Sequence, residues 1–241
     1  MAEKQVQAAA ASEAEVVMQR AKGFWDKFSK PIIYVGSALI LLVGGYFGYK
    51  YFYKIPKEQK ASEAIISAEN LFDKMATNFS YGKDSVKVLL DGGTLTGFPK
   101  ITGLLSVIKN YGGTEAGNRA HYLAGAAYLH IGEFDKAIKQ LKEFDPNGSL
   151  VAYPYYDMLA AASAELKKDD DALSYYKKAA AINEKNEQLT PVALKKAADF
   201  AYQSGKLKDA AELYQKIKDD YPKSQEAQNV DKDLARLGKT E

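Results

Sequence analysis

The residues that could carry chemistry in this chain are few, and their spacing suits none of the common reactions. The two histidines, His121 and His130, are nine residues apart. On a helix that separation turns through about 900°, which leaves them on opposite faces and unable to share a metal. Neither belongs to an i, i+4 ligand pair. The chain has no cysteine, which excludes thiol nucleophiles, zinc-thiolate sites, disulfides and a lipid-modified Cys. It leaves the compartment open, because a cysteine-free chain suits oxidising and reducing surroundings equally. Asp169, Asp170 and Asp171 concentrate negative charge, but no EF-hand spacing follows them. They read as an inter-helix turn whose acids complement the dipole of the next helix. Gly92–Gly93 and Gly112–Gly113 lie outside any phosphate-cradling pattern and read as turns. No G-x-S-x-G supplies a serine nucleophile. The expectation is a protein with no catalytic residue, no cofactor and no metal.

What remains is recognition chemistry, carried by rings and charges on helices. The chain holds seventeen tyrosines, many of them between residues 118 and 222. Three segments in that stretch align: NRAHYLAGAAYLHIGEFDKAIKQLKEF from Asn118, PYYDMLAAASAELKKDDDALSYYKKAAAI from Pro154, and VALKKAADFAYQSGKLKDAAELYQKI from Val192. Each reads as a helix, a short turn and a second helix. Small residues recur in the first helix at Ala124–Gly125, at Ala160 after Leu159, and at Ala197–Ala198. Tyr128, Ser163 and Ala201 follow, and the turns carry Gly132, Lys167 and Gly205. The second helices place Ala137, Ala172 and Ala210 at one equivalent point, with Leu141, Tyr176 and Tyr214 four residues on along the same face. The alanine steps are 35 and 38 residues. A small residue on each helix lets the pair approach closely, and no pair buries its apolar face alone, so neighbours must stack.

These residues resemble the tetratricopeptide family, whose unit is about 34 residues. His121 departs from a common Trp, and Lys167 from the usual turn Gly. The resemblance implies an all-α fold ending in a helical-hairpin solenoid. It also implies a concave groove of first-helix positions, here Tyr122, His130, Asp157, Lys195, Asp199 and Tyr202, able to bind a protein partner. Members that clamp the C-terminal carboxylate of cytosolic heat-shock proteins place Lys, Arg and Asn at set groove positions. Here those positions hold Tyr122, Ala126, Met158, Val192 and Lys196, and four of the five do not match.

The N-terminal part obeys a different rule. From Pro31 to Tyr49 run nineteen residues without a charge, PIIYVGSALILLVGGYFGY. As a helix this run spans about 28 Å, close to the hydrocarbon thickness of a bilayer. Lys30 and Lys50 bracket it, and aromatic residues crowd both flanks: Phe24, Trp25 and Phe28 before, Tyr46 to Tyr53 after. The run begins too late for a cleaved leader, and bulky rings occupy the would-be cut site. The expectation is an uncleaved single transmembrane helix. Four Lys or Arg precede the span closely (Arg20, Lys22, Lys27, Lys30) and four follow it (Lys50, Lys54, Lys57, Lys60), so the positive-inside rule returns a tie. Gly44 and Gly48 form a small-xxx-small pair of a kind common in such spans. Residues 1–57 carry a net +4 and residues 58–241 a net −2. The large region therefore lacks the dense cationic face a nucleic-acid binder needs.

The divisions expected are a tail at 1–30, the transmembrane helix at 31–50, membrane-proximal helices forming a degenerate repeat at 51–117, three repeats at 118–222 and a capping helix at 223–241. Within them Glu58–Phe79, Pro99–Tyr111 and Ser224–Leu237 read as helices. The order of tail, span, long helix and repeats resembles the YfgM-type ancillary subunit of the bacterial Sec translocon, and residues 97–138 are similar to its Bacteroidetes-like branch. That resemblance implies a cytoplasmic tail, a periplasmic repeat domain on the inner membrane, and the translocon and a PpiD-type periplasmic chaperone as partners in envelope protein biogenesis. A cytosol-facing docking adaptor is the alternative that the charge tie leaves open.

Overall fold

The structure, a computed structural model, describes residues 2–77, 82–146 and 151–238, with side chains from Glu15 onward except that of Ile32. Two compact units divide at Lys57 and Glu58. The first is α1 (Ala2–Tyr49) followed by a π-helical turn at Lys50–Lys54. Alanine, the strongest helix former, opens α1 in number. Pro31 lies inside it and withholds the N–H that the Lys27 carbonyl would otherwise accept. The expected apolar run falls in α1, and its large side chains are exposed on every side, Ile33, Leu39, Ile40, Leu41 and Leu42 among them. By length and composition this is a helix able to cross a membrane, with none of its apolar window buried. The rings beyond it stack at i, i+4: Phe47 on Tyr51 at 6.1 Å and Tyr49 on Tyr53 at 5.4 Å between centroids. Lys50 lies over Tyr51 and Lys57 over Tyr53.

The second unit is all-helical among the described residues, apart from one antiparallel bridge between Gly93 and Ile101. It contains most of α2 (Ile55–Thr77), then α3 (Lys83–Asp91), α4 (Leu104–Tyr111), α5 (Glu115–His130), α6 (Phe134–Glu143), α7 (Ala152–Glu165), α8 (Asp169–Ala180), α9 (Leu189–Gln203), α10 (Leu207–Asp220) and α11 (Ala227–Arg236). Two boundaries differ from expectation for visible reasons. The helix expected from Pro99 starts only at Leu104, because the Gly93–Ile101 bridge holds the preceding backbone extended and buries Ile101. The capping helix starts at Ala227, whose N–H donates to the Ser224 hydroxyl. Phe79, the expected end of the long helix, lies outside the described residues. Asp169 to Asp171 form the first turn of α8 rather than a loop ahead of it.

Three hairpins, α5–α6, α7–α8 and α9–α10, pack in chain order, α6 against α7 and α8 against α9. The small residues expected at the crossings are all inside: Ala124, Ala137, Ala160, Ala172, Ala197, Ala198 and Ala210 are fully buried, as is Leu141. Behind the hairpins, α2, α3 and α4 share a core with α5 through Ile65, Leu71, Leu89, Leu104 and Val107. A second core joins α8 to α11 through Leu194, Ile217 and Val230. Between them Leu141, Phe144, Tyr155 and Leu159 form a bridge of apolar contacts.

The three turns are built alike. Gly132, Lys167 and Gly205 all take left-handed backbone, with φ of 80°, 58° and 75°. In each turn this residue donates to the carbonyl three back (Leu129, Ala164, Tyr202). The next residue donates to the carbonyl five back (Tyr128, Ser163, Ala201). This is the paired closure of a helix C-terminus that a left-handed residue permits. Lys167 is thus the equivalent of a glycine at a position that penalises a Cβ. A different close approach governs α4 and α5. There a Cβ on Gly117 would sit 2.1 Å from the Tyr111 carbonyl oxygen, at the turn where Thr114 accepts from the Gly117 N–H.

Two substitutions test these readings by denaturant unfolding of the full chain in detergent. Lys167→Gly is expected to stabilise by about 1 kcal/mol, the left-handed penalty less the greater freedom of an unfolded glycine. Gly117→Ala is expected to destabilise by about 2–3 kcal/mol, because backbone must move to admit the methyl group.

Candidate functional site

Four of the six expected groove residues fall into three groups rather than one constellation, and the other two stand apart from them. Tyr122 is half-buried on α5 and starts a run of rings that crosses two hairpins. Its centroid is 5.2 Å from Phe144, which is 5.4 Å from Tyr155. Tyr155 lies 4.8 Å from Tyr156, and Tyr156 stacks on Tyr175 of α8 at 6.5 Å. Such offset and edge contacts favour one relative placement of the helices beyond the area they bury. Burial pushes the Tyr122 and Tyr155 hydroxyls up from their ordinary pKa.

Asp157 forms the second group, and its partner was not among the six. Lys196 of α9 donates to Asp157 Oδ2 at 2.8 Å and lies 2.5 Å from Oδ1. The same ammonium sits 5.7 Å from the Tyr176 ring centroid on α8, so three helices meet at one charge pair. Burial, then the neighbouring Asp157 carboxylate, holds the Tyr176 hydroxyl up at about 12. The same two causes raise Tyr153. The signal for this pair was available, since opposite charges 39 residues apart stand close to one repeat step.

Lys195 and Asp199 make the third group, turned towards α10 and α11. Lys195 lies 2.5 Å from Asp199 and 3.4 Å from Asp233 of α11, which is buried. The Tyr214 hydroxyl donates to Asp199 at 2.7 Å, and Lys195 lies over the Tyr214 ring. Burial alone would lower the Lys195 pKa; the two carboxylates outweigh it, and the net direction is up. The Tyr214 hydroxyl is raised by burial and then by its bond to Asp199. These groups tie the last hairpin to α11. The remaining two stand at helix ends: His130 is exposed as the last residue of α5, and Tyr202 is 41% exposed near the end of α9. His121 sits apart from His130 and pairs with Gln140 at 2.9 Å.

A second set of charges repeats along another line. The residue closing each later turn reaches the first-turn aspartate of the preceding hairpin's second helix. Lys168 pairs with Asp135 at 3.4 Å, and Lys206 pairs with Asp170. The Lys206 hydrogen bond holds the Asp170 carboxyl below its usual range. Exposed pairs of this kind are each worth little, but their repetition marks the hairpins as equivalent units. Among the described residues no group of three His, Asp or Glu is placed to hold a metal ion.

The chain matches no protein-family model, and no curated protein is significantly similar to it.

The Tyr176 hydroxyl gives a direct test of the Asp157 cluster. Its folded pKa lies above the unfolded value near 10, so the neutral ring contributes stability that is complete below pH about 10 and lost as pH rises through about 12. Spectrophotometric titration should show a tyrosine ionising in that upper range. Asp157→Asn should lower its midpoint, and an unchanged midpoint would show that Asp157 does not act on that ring.

Proposed function

We propose that this chain is a membrane-anchored scaffold whose helical hairpins bind other proteins. In this reading α1 crosses a bilayer once through Pro31–Tyr49, and residues 118–222 form a tetratricopeptide-like solenoid. The observation that carries the reading is the threefold recurrence of one hairpin, with the same buried small residues and the same left-handed turn, and the same turn-to-helix ion pair at both junctions between hairpins. Such arrays present long, rigid surfaces whose side chains can differ from unit to unit while the frame is kept. The half-buried and exposed rings of Tyr122, Tyr156, Tyr175 and Tyr202 suit protein recognition, where amphipathic aromatic side chains contribute most.

The anchor reading is supported by a helix that exposes apolar side chains all round, which water does not tolerate over such an area. Its flanks carry lysines over aromatic rings, the arrangement that suits a membrane–water boundary. The resemblance to the YfgM-type subunit adds a periplasmic placement of the solenoid, with the Sec translocon and a PpiD-type chaperone as partners. The tied charge count keeps the cytosol-facing adaptor as the second reading.

Two measurements separate these. A C-terminal alkaline phosphatase fusion is expected to be active and a C-terminal green fluorescent protein fusion dark; the reverse result contradicts the periplasmic reading. A photoreactive residue at Tyr202 is expected to label a translocon or membrane-tethered chaperone component in intact membranes. Labelling of cytosolic proteins alone would contradict the assigned partners.

A further inference from the structure

We propose that residues 16–30 form a second membrane contact, a helix lying in the headgroup plane of an anionic bilayer and bent away from the span at Pro31. This rests on the transmembrane reading of Pro31–Tyr49 and goes beyond it by assigning a surface, and a lipid chemistry, to the segment before the span.

The argument begins with a change of pattern at one residue. After Pro31 the helix is apolar on all sides; before it, the apolar side chains from Val17 to Phe28 keep to one side, with exposed Val16 alone on the other. At about 100° per residue, Val17, Met18, Ala21, Phe24, Trp25 and Phe28 fall within an arc of about 120°. Their large members are exposed, Val17 at 65% and Trp25 at 54%, and Phe24 and Phe28 touch at 4.9 Å between centroids. They form a continuous stripe open to whatever lies beside the helix. The opposite arc holds Arg20, Lys22, Lys27 and Lys30 against the single acid Asp26, a net charge of +3. Lys22 borders the stripe on one side and Arg20 and Lys27 on the other, while Asp26 and, opposite its centre, Lys30 lie farther from it. Long cationic stems beside an apolar stripe can keep their carbons with the rings and raise their charges to phosphates, and Lys27 already lies 5.5 Å from the Phe28 ring centroid.

This sidedness with a cationic edge fits the boundary of an anionic bilayer. A helix continued along the membrane normal would carry Val17 about 21 Å beyond Pro31 and leave the stripe in water. Bending is easiest where Pro31 removes the hydrogen bond to the Lys27 carbonyl. Charge complementarity and direct continuity with the apolar span select lipid as the occupant of the stripe over a second protein helix.

The chain suits a direct test, since it has no cysteine and Trp25 is its one tryptophan. Nitroxide labels at Val17→Cys, Gln19→Cys and Leu41→Cys would be read by power-saturation EPR. The full chain would be placed in phosphatidylcholine vesicles with and without phosphatidylglycerol. The expected result is a deep label at position 41. In anionic vesicles the label at position 17 should be at least about threefold less accessible to an aqueous nickel chelate than that at position 19. Trp25 emission should shift to the blue when phosphatidylglycerol is present, and replacing Arg20, Lys22, Lys27 and Lys30 by Gln should abolish that shift. Equal aqueous exposure at positions 17 and 19 with position 41 deep overturns the surface helix while leaving the anchor intact. An aqueous label at position 41 overturns the anchor, and the surface helix with it. Shielding at position 17 accompanied by spin–spin broadening would mean that a second copy covers the stripe, which also overturns the lipid assignment.

Discussion

The second unit depends on how closely the two helices of each hairpin can approach. At Gly125 of α5 a Cβ would lie 2.5 Å from Leu141 Cγ and 2.7 Å from its Cδ2, so α6 occupies space that a side chain on α5 would need. The same offset of seven residues before the left-handed turn residue holds Ala160 and Ala198, each a fully buried methyl group. Close crossings bring α6, α8 and α10 down onto their partners and leave one apolar face per hairpin, which only the next hairpin can cover. The cores therefore follow one another along the chain, with Leu141, Phe144, Tyr155 and Leu159 joining the first to the last.

Once stacking has consumed the small residues, the larger side chains are free to differ, and they divide the labour. Tyr122, Tyr155 and Tyr156 fill the space between hairpins. Lys195 and Asp199 fasten α9 to α10 and α11, with buried Asp233 as the third charge. Asp157 and Lys196 join α7 to α9 across the Tyr176 ring. The outer pairs at Lys168 and Lys206 are too exposed to add much stability. Their contribution is register, because each lysine finds its aspartate only when the hairpins stack in one alignment.

The hairpins were legible because alanine spacing reports helix crossings directly, and every small residue expected at a crossing is buried. The turn at Lys167 was legible as an equivalent position but not as a strained one; its left-handed φ of 58° emerges only from the folded backbone. Helix α3 was missed because nine residues ahead of a glycine pair offer only two turns of periodicity, although Val86, Leu89 and Leu90 pack fully into the core. The site was legible as helix positions and not as partners. Lys195 and Lys196 are neighbours in sequence, yet one turns to Asp199 and Asp233 and the other to Asp157. Only the placement of α7 and α11 around α9 decides which carboxylate each meets.

The claim on which the account stands is that hairpin helices touch where side chains are smallest, and a double-mutant cycle on Gly125 and Leu141 tests it most directly. Gly125→Ala, Leu141→Ala and the double variant would be compared by equilibrium unfolding. Because the added methyl group and the leucine occupy the same space, the double variant should be less destabilised than the sum of the singles, with a coupling of about 1–2 kcal/mol. Additive effects would mean that α5 and α6 do not meet there, and the stacked-hairpin account would be contradicted.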